Sequence, residues 1–111
     1  MWNPFKKELD KDGKVIEALK EHGSNIDKPH LIDFWLDFDD EASAKNAAEI
    51  LLEKGFGAQI LRSQDQMVYT CQANKELIPS LDTMRSITSE FDEIAKSLGG
   101  NYDGWGAEIV P

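Results

Sequence analysis

The residues best suited to chemistry are acidic, and they crowd around one tryptophan. Asp37-Phe38-Asp39-Asp40-Glu41 packs four acids into five positions, and Asp33 and Trp35 stand just before them. Spaced carboxylates can ligate Ca²⁺, but the loop order with a central Gly and a terminal Glu is absent. A helix N-terminus also favours acids, so Asp39, Asp40 and Glu41 are expected to serve a helix start. An aromatic ring between two carboxylates, as at Asp33-Phe34-Trp35-Leu36-Asp37, suits an Arg or Lys side chain through cation–π contact and ion pairing. Partner binding is therefore assigned to Asp33, Trp35, Asp37, Asp39, Asp40 and Glu41. Trp35 has a second reading, burial beneath an N-terminal helix.

Other chemistries find little support. His22, His30 and Cys71 lack close metal-ligand spacing, and no metal or cofactor is implied. No phosphate-cradling glycine pattern and no nucleophile elbow occurs. Acid–base catalysis by Asp33, Asp37 or Asp103 would need a partnered His or Lys, and the sequence places none beside them. Met67-Val68-Tyr69-Thr70-Cys71-Gln72-Ala73 would be the nucleic-acid-reading strand of an RNA-binding sheet, yet it carries no basic residue. The expectation is a protein without catalysis.

The second distinctive run is Tyr102-Asp103-Gly104-Trp105-Gly106. Glycine weakens a strand, so two of them around a tryptophan signal a bulge, a close backbone approach or room for a large ring. Tyr102 and Trp105 fit either interface anchors or core residues packed beneath helices with Ala107 and Ile109. Asp103 beside glycine is expected to bond nearby backbone amides.

These residues require elements to hold them. Asp12-Gly13 followed by Val15, Ile16 and Leu19 and closed by His22-Gly23 predicts a short helix. In Leu31 to Phe38, Ile32, Phe34, Leu36 and Phe38 share one strand face, while Leu31, Asp33, Trp35 and Asp37 share the other. Asp39 or Asp40 caps a helix whose stripe is Ala44, Ala47, Ala48, Leu51 and Leu52, stopped by Gly55. Phe56–Arg62 and Met67–Ala73 predict a hairpin around Ser63-Gln64-Asp65-Gln66. Pro79 or Ser80 opens a helix with Leu81, Met84, Ile87, Phe91, Ile94, Ala95 and Leu98 on one face, and Tyr102 to Val110 is the last strand. Two strand–helix–strand halves with right-handed crossovers give a ferredoxin-like α+β sandwich, a four-stranded antiparallel sheet with two helices on one face. An extra helix precedes it. The expected division is an N-terminal helix and linker over 1–28 and a ferredoxin-like body over 29–111, within one structural domain.

Charge narrows the partners. The 111 residues carry a net charge of −9, with 41% hydrophobic residues to build a core. Residues 1–28 balance six Lys against six acids, whereas 29–111 hold six Lys or Arg against fifteen Asp or Glu. Such a field repels phosphate backbones and draws basic surfaces, so a basic protein is the expected partner and direct nucleic-acid binding is not. A charged N-terminus without an apolar stretch, no long apolar run and a single cysteine predict a cytoplasmic protein with no membrane contact.

The ending Phe91…Ala95…Leu98-Gly99-Gly100-Asn101-Tyr102-Asp103-Gly104-Trp105-Gly106 resembles that of the regulator of ribonuclease E activity B family. With the order of elements from about Pro29 to Val110, the resemblance covers about three quarters of the chain. Tyr102, Asp103, Gly104, Trp105 and Gly106 carry it most specifically. It implies a small acidic bacterial inhibitor that binds an RNA-degrading endonuclease of the ribonuclease E type and restrains it without catalysis. The best-known members add a long, very acidic C-terminal tail, whereas this sequence runs to Pro111. The alternative function is a ferredoxin-like interaction or small-molecule-sensing module, a dimer in one version, without a ribonuclease link.

Overall fold

The computed structural model describes residues 9–65 and 67–111. Its elements run α1 (Lys11–Glu21), β1 (His30–Phe38), α2 (Glu41–Glu53), β2 (Gly57–Arg62), β3 (Tyr69–Leu77), α3 (Leu81–Ser97) and β4 (Asn101–Ala107). Each helix opens on a side-chain cap that accepts an otherwise orphaned amide proton: Asp10 from Gly13, Asp40 from Ser43 and Ser80 from Thr83. The capping places α1 slightly earlier than the Asp12-Gly13 start expected, so both of those residues lie inside the helix and are buried.

All strand pairings are antiparallel, in the order β2-β3-β1-β4. This is the ferredoxin-like α+β arrangement, and it places β1 between β3 and β4. Strand β1 alternates as its sequence requires: Ile32, Phe34, Leu36 and Phe38 are buried, and Asp33, Trp35 and Asp37 are half-exposed on the opposite face. Phe34 anchors the core beneath the helices, in edge-to-face contact with Phe56 at 5.6 Å and Phe91 at 5.2 Å. Phe91 continues the chain of rings to Tyr102 at 5.7 Å. Ala44, Ala47 and Leu51 of α2 and Met84, Phe91 and Ala95 of α3 close the same cluster.

Two boundaries differ from the sequence reading. The hairpin's second strand begins at Tyr69 and runs on to Leu77, because Ser63 and Asp65 draw Val68 and Met67 into the turn: Asp65 Oδ1 accepts from Met67 N at 3.1 Å. The last strand stops at Ala107 rather than Val110. Beyond it the chain turns to the α1–β1 linker, where Asn25 N donates to Val110 O at 2.6 Å and Val110 N to Ser24 Oγ at 2.9 Å. Buried His30 supports this linker. Its Nδ1 faces the Lys28 carbonyl at 2.8 Å and must donate there, which leaves Nε2 to the Ser24 hydroxyl at 2.6 Å.

The position of α1 decides what the sheet exposes. It packs against α3 and the edge strand β4, with Ile16 and Leu19 in the common core. It thus joins the helical layer, and no helix among the described residues covers the other, open face of the sheet. The reading in which α1 covers Trp35 does not hold.

Candidate functional site

The open face is built by alternation along four strands. Its central row runs Asp33, Trp35, Asp37 on β1. Across the register Asn74, Gln72 and Thr70 of β3 lie on one side, and Gly106, Gly104 and Asn101 of β4 on the other. Beyond β3, Gln59 of β2 donates from Nε2 to Gln72 Oε1 at 3.0 Å. Asp37 Oδ1 accepts from Thr70 Oγ1 at 2.5 Å, which fixes one carboxylate oxygen. No Lys or Arg alternates onto this face among the described residues. The two strand cations, Lys75 and Arg62, fall on the opposite parity, over the rings of Phe56 and Tyr69. Among the described residues the face is therefore acidic and polar around a single large aromatic, Trp35.

Trp35 owes its place to Gly106 of β4. A Cβ on Gly106 would sit 3.3 Å from Trp35 Cη2, so the missing side chain gives the indole a backbone surface to lie on. Gly104 has φ +104°, in the region that costs a side-chain-bearing residue dearly. There the β1–β4 register slips: Trp35 pairs with Gly104 and Leu36 with Tyr102, leaving Asp103 as the extra residue of a bulge. Because of that slip Tyr102 and Trp105, three residues apart, both point to the helices. Asp103, expected to bond nearby amides, is instead exposed and makes no hydrogen bond to another described residue.

The remaining acids of the sequence assignment lie elsewhere. Asp39, Asp40 and Glu41 form the corner between β1 and α2. Asp40 accepts from Ser43 N at 2.9 Å and Ser43 Oγ at 2.8 Å, and these bonds hold its carboxyl below the usual range. Glu41 pairs with Lys45 at 2.9 Å, which lowers its carboxyl likewise. Asp40 and Glu41 thus serve the helix start, while Asp33, Trp35 and Asp37 share one surface.

A second feature went unread in the sequence. Asp12 is 5% exposed, and its Oδ1 accepts from Trp105 Nε1 at 2.8 Å and from Thr88 Oγ1 at 2.7 Å, tying α1, α3 and β4 together. These residues floor a cleft of about 360 Å³ between α1, α3 and β4, with Tyr102, Asp92 and Asp103 on its walls and Lys11 and Lys14 on its α1 side. The Tyr102 hydroxyl is buried without a hydrogen-bond partner among the described residues. Burial pushes its ionisation well up, and the charges of Asp12 and Asp92 add to the rise. Thr88 lies close enough to ease it but gives its proton to Asp12. The polar residue at helix position 12 is the signal that could have exposed this cleft: it falls among the inward-facing positions Ile16 and Leu19.

Cys71 is buried on β3, and desolvation pushes its thiol up to about 11, which suppresses the nucleophilic thiolate. Among the described residues no group of three or more His, Cys, Asp or Glu is placed to hold a metal ion. No helix among the described residues is long and apolar enough to cross a membrane.

Fold and face together define a ferredoxin-like α+β protein with an acidic open sheet centred on one indole. Residues 9–107 match the model of the family described as Regulator of ribonuclease activity B (RraB), and the chain belongs to that family. The match begins before α1, so it takes in the helix that precedes the repeated halves. Two relatives named Regulator of ribonuclease activity B are similar to the chain. The one from Xenorhabdus nematophila is 25% identical over 106 residues, covering 92% of this chain and 75% of its own length. The one from Pseudoalteromonas atlantica is 27% identical over 101 residues, covering 87% and 86%.

Proposed function

We propose that the protein regulates RNA degradation without catalysis, by seating a basic segment of a ribonuclease E-type endonuclease on the open sheet face. The observation that carries this reading is Trp35, half-exposed between Asp33 and Asp37 on a face with no cation among the described residues. A guanidinium stacked on the indole would reach a carboxylate on either side, and Leu31 and Leu61, both exposed, offer apolar contact at the margins. Membership of a family described as regulating ribonuclease activity supports the choice of partner. Basic segments of a ribonuclease attract RNA phosphates, so an acidic protein bound there competes with substrate. The net charge of −9 speeds encounter with such a segment and repels RNA itself. Asp39, at the corner beside this face, extends the acidic rim.

The experiment is a titration of a purified ribonuclease E-type endonuclease, intact and without its basic segments, at increasing salt. The expected result is binding to the intact enzyme that weakens steadily with salt, with RNA cleavage falling as the complex forms. Absence of binding at low ionic strength would end the proposal.

A further inference from the structure

The geometry points to a second recognition site: the cleft between α1, α3 and β4 takes the side chain of a single arginine from a basic protein segment. Its floor is the buried Asp12 carboxylate, whose Oδ1 is committed to Trp105 and Thr88 while Oδ2 makes no hydrogen bond to any described residue. Beside it lies the Tyr102 hydroxyl, in a residue only 8% exposed and without a partner among the described residues. A buried hydroxyl left unpaired carries a desolvation penalty that an incoming donor relieves. Asp92 and Asp103 add negative charge to the walls, and the largely buried Trp105 and Tyr102 line the inner end.

That combination favours a cation, and a planar one. Lys11 and Lys14 line the cleft too, but both are exposed on α1, whereas Asp12 is buried at the floor, so the deep end is anionic. A guanidinium carries five donors in a planar fork, which matches a carboxylate oxygen and a hydroxyl that lack partners among the described residues better than a point-like ammonium does. The volume of about 360 Å³ accommodates one long side chain rather than a folded segment. Strand β4 forms part of both sites, giving the open face its glycine surface and the cleft its Tyr102 and Trp105. A basic segment crossing this edge strand reaches both. The choice of a protein segment rests on the proposed function; the affinity for an arginine side chain does not.

The test follows the indole N–H resonance of Trp105 while N-acetyl-L-arginine amide is titrated into the protein, with the citrulline and lysine analogues as controls. The expected result is a saturable shift at Trp105 with the arginine compound, a weaker one with lysine and none with neutral citrulline. Tyr102→Phe deletes an unpaired hydroxyl, so the variant folds, and it should weaken arginine binding about tenfold. A shift confined to Trp35, an equal response to citrulline, or unchanged arginine affinity in Tyr102→Phe overturns the inference. The endonuclease titration separates the two proposals. If the enzyme binds wild type while Tyr102→Phe changes neither affinity, the cleft assignment fails and the regulatory reading stands. If arginine binds as described but the enzyme does not, the reverse holds.

Discussion

Asp12 shows how one side chain can organise a terminus. A carboxylate 5% exposed needs donors, and it finds the Trp105 indole and the Thr88 hydroxyl. Trp105→Phe keeps the ring in place but removes one of the two donors. It should cost about 2 kcal/mol of stability, because the loss leaves a charged buried acceptor under-satisfied. Urea unfolding of the two proteins measures this, and a loss near zero would mean that solvent already satisfies Asp12. On the opposite sheet face Trp35 makes the contrasting case. It rests on Gly106 rather than among the helices, a placement that suits the contact surface proposed for it.

At the scale of the element, β4 does the most with the least side chain. Gly104 supplies the positive φ, the bulge takes up Asp103, and the slip lets Tyr102 and Trp105 enter the core together. Gly104→Ala should destabilise the protein by about 1–3 kcal/mol, read as a lowered melting temperature, since the alanine must hold a conformation it disfavours. A neutral result would mean that β4 can pair with β1 in a regular register. The helix starts titrate as well. The carboxyls of Asp10 and Asp40 are lowered in the folded state, Asp10 chiefly by Arg85 at 2.7 Å and Asp40 by the Ser43 amide. A folded value below the unfolded one gives stability that is present above the unfolded value, near 4, and is lost as pH falls through the folded values. Both groups are exposed and screened by solvent, so the loss is small. Asp10→Asn and Asp40→Asn should each flatten the acid limb of a stability–pH profile, and an unchanged limb would assign acid sensitivity to other groups.

For the whole molecule, most of the architecture was legible. Alternation in β1, the apolar stripes of α2 and α3 and the punctuating residues Asp40, Gly55, Ser80 and Gly99 led to the ferredoxin-like order, because each local signal agrees with the final packing. The open face was legible in part: the parity of Asp33, Trp35 and Asp37 follows from the strand period, but the side on which α1 packs depends on contacts with α3 and β4 that no local pattern encodes. The cleft was hidden for the same reason. Asp12 and Trp105 are distant in sequence, and an aspartate early in a helix looks like capping. The grouping of six partner-binding residues also loosened, since Asp40 and Glu41 are held by Ser43 and Lys45.

The proposed ribonuclease-binding surface is the open face, through Trp35 and its flanking acids. It is tested most directly by measuring endonuclease affinity and thermal unfolding of Trp35→Ala/Asp37→Ala beside wild type. The expected result is at least a tenfold loss of affinity with a cooperative transition within a few degrees of wild type, as when a contact hot spot is removed from an exposed face. Unchanged affinity in a folded variant, or collapse of the fold, would contradict it.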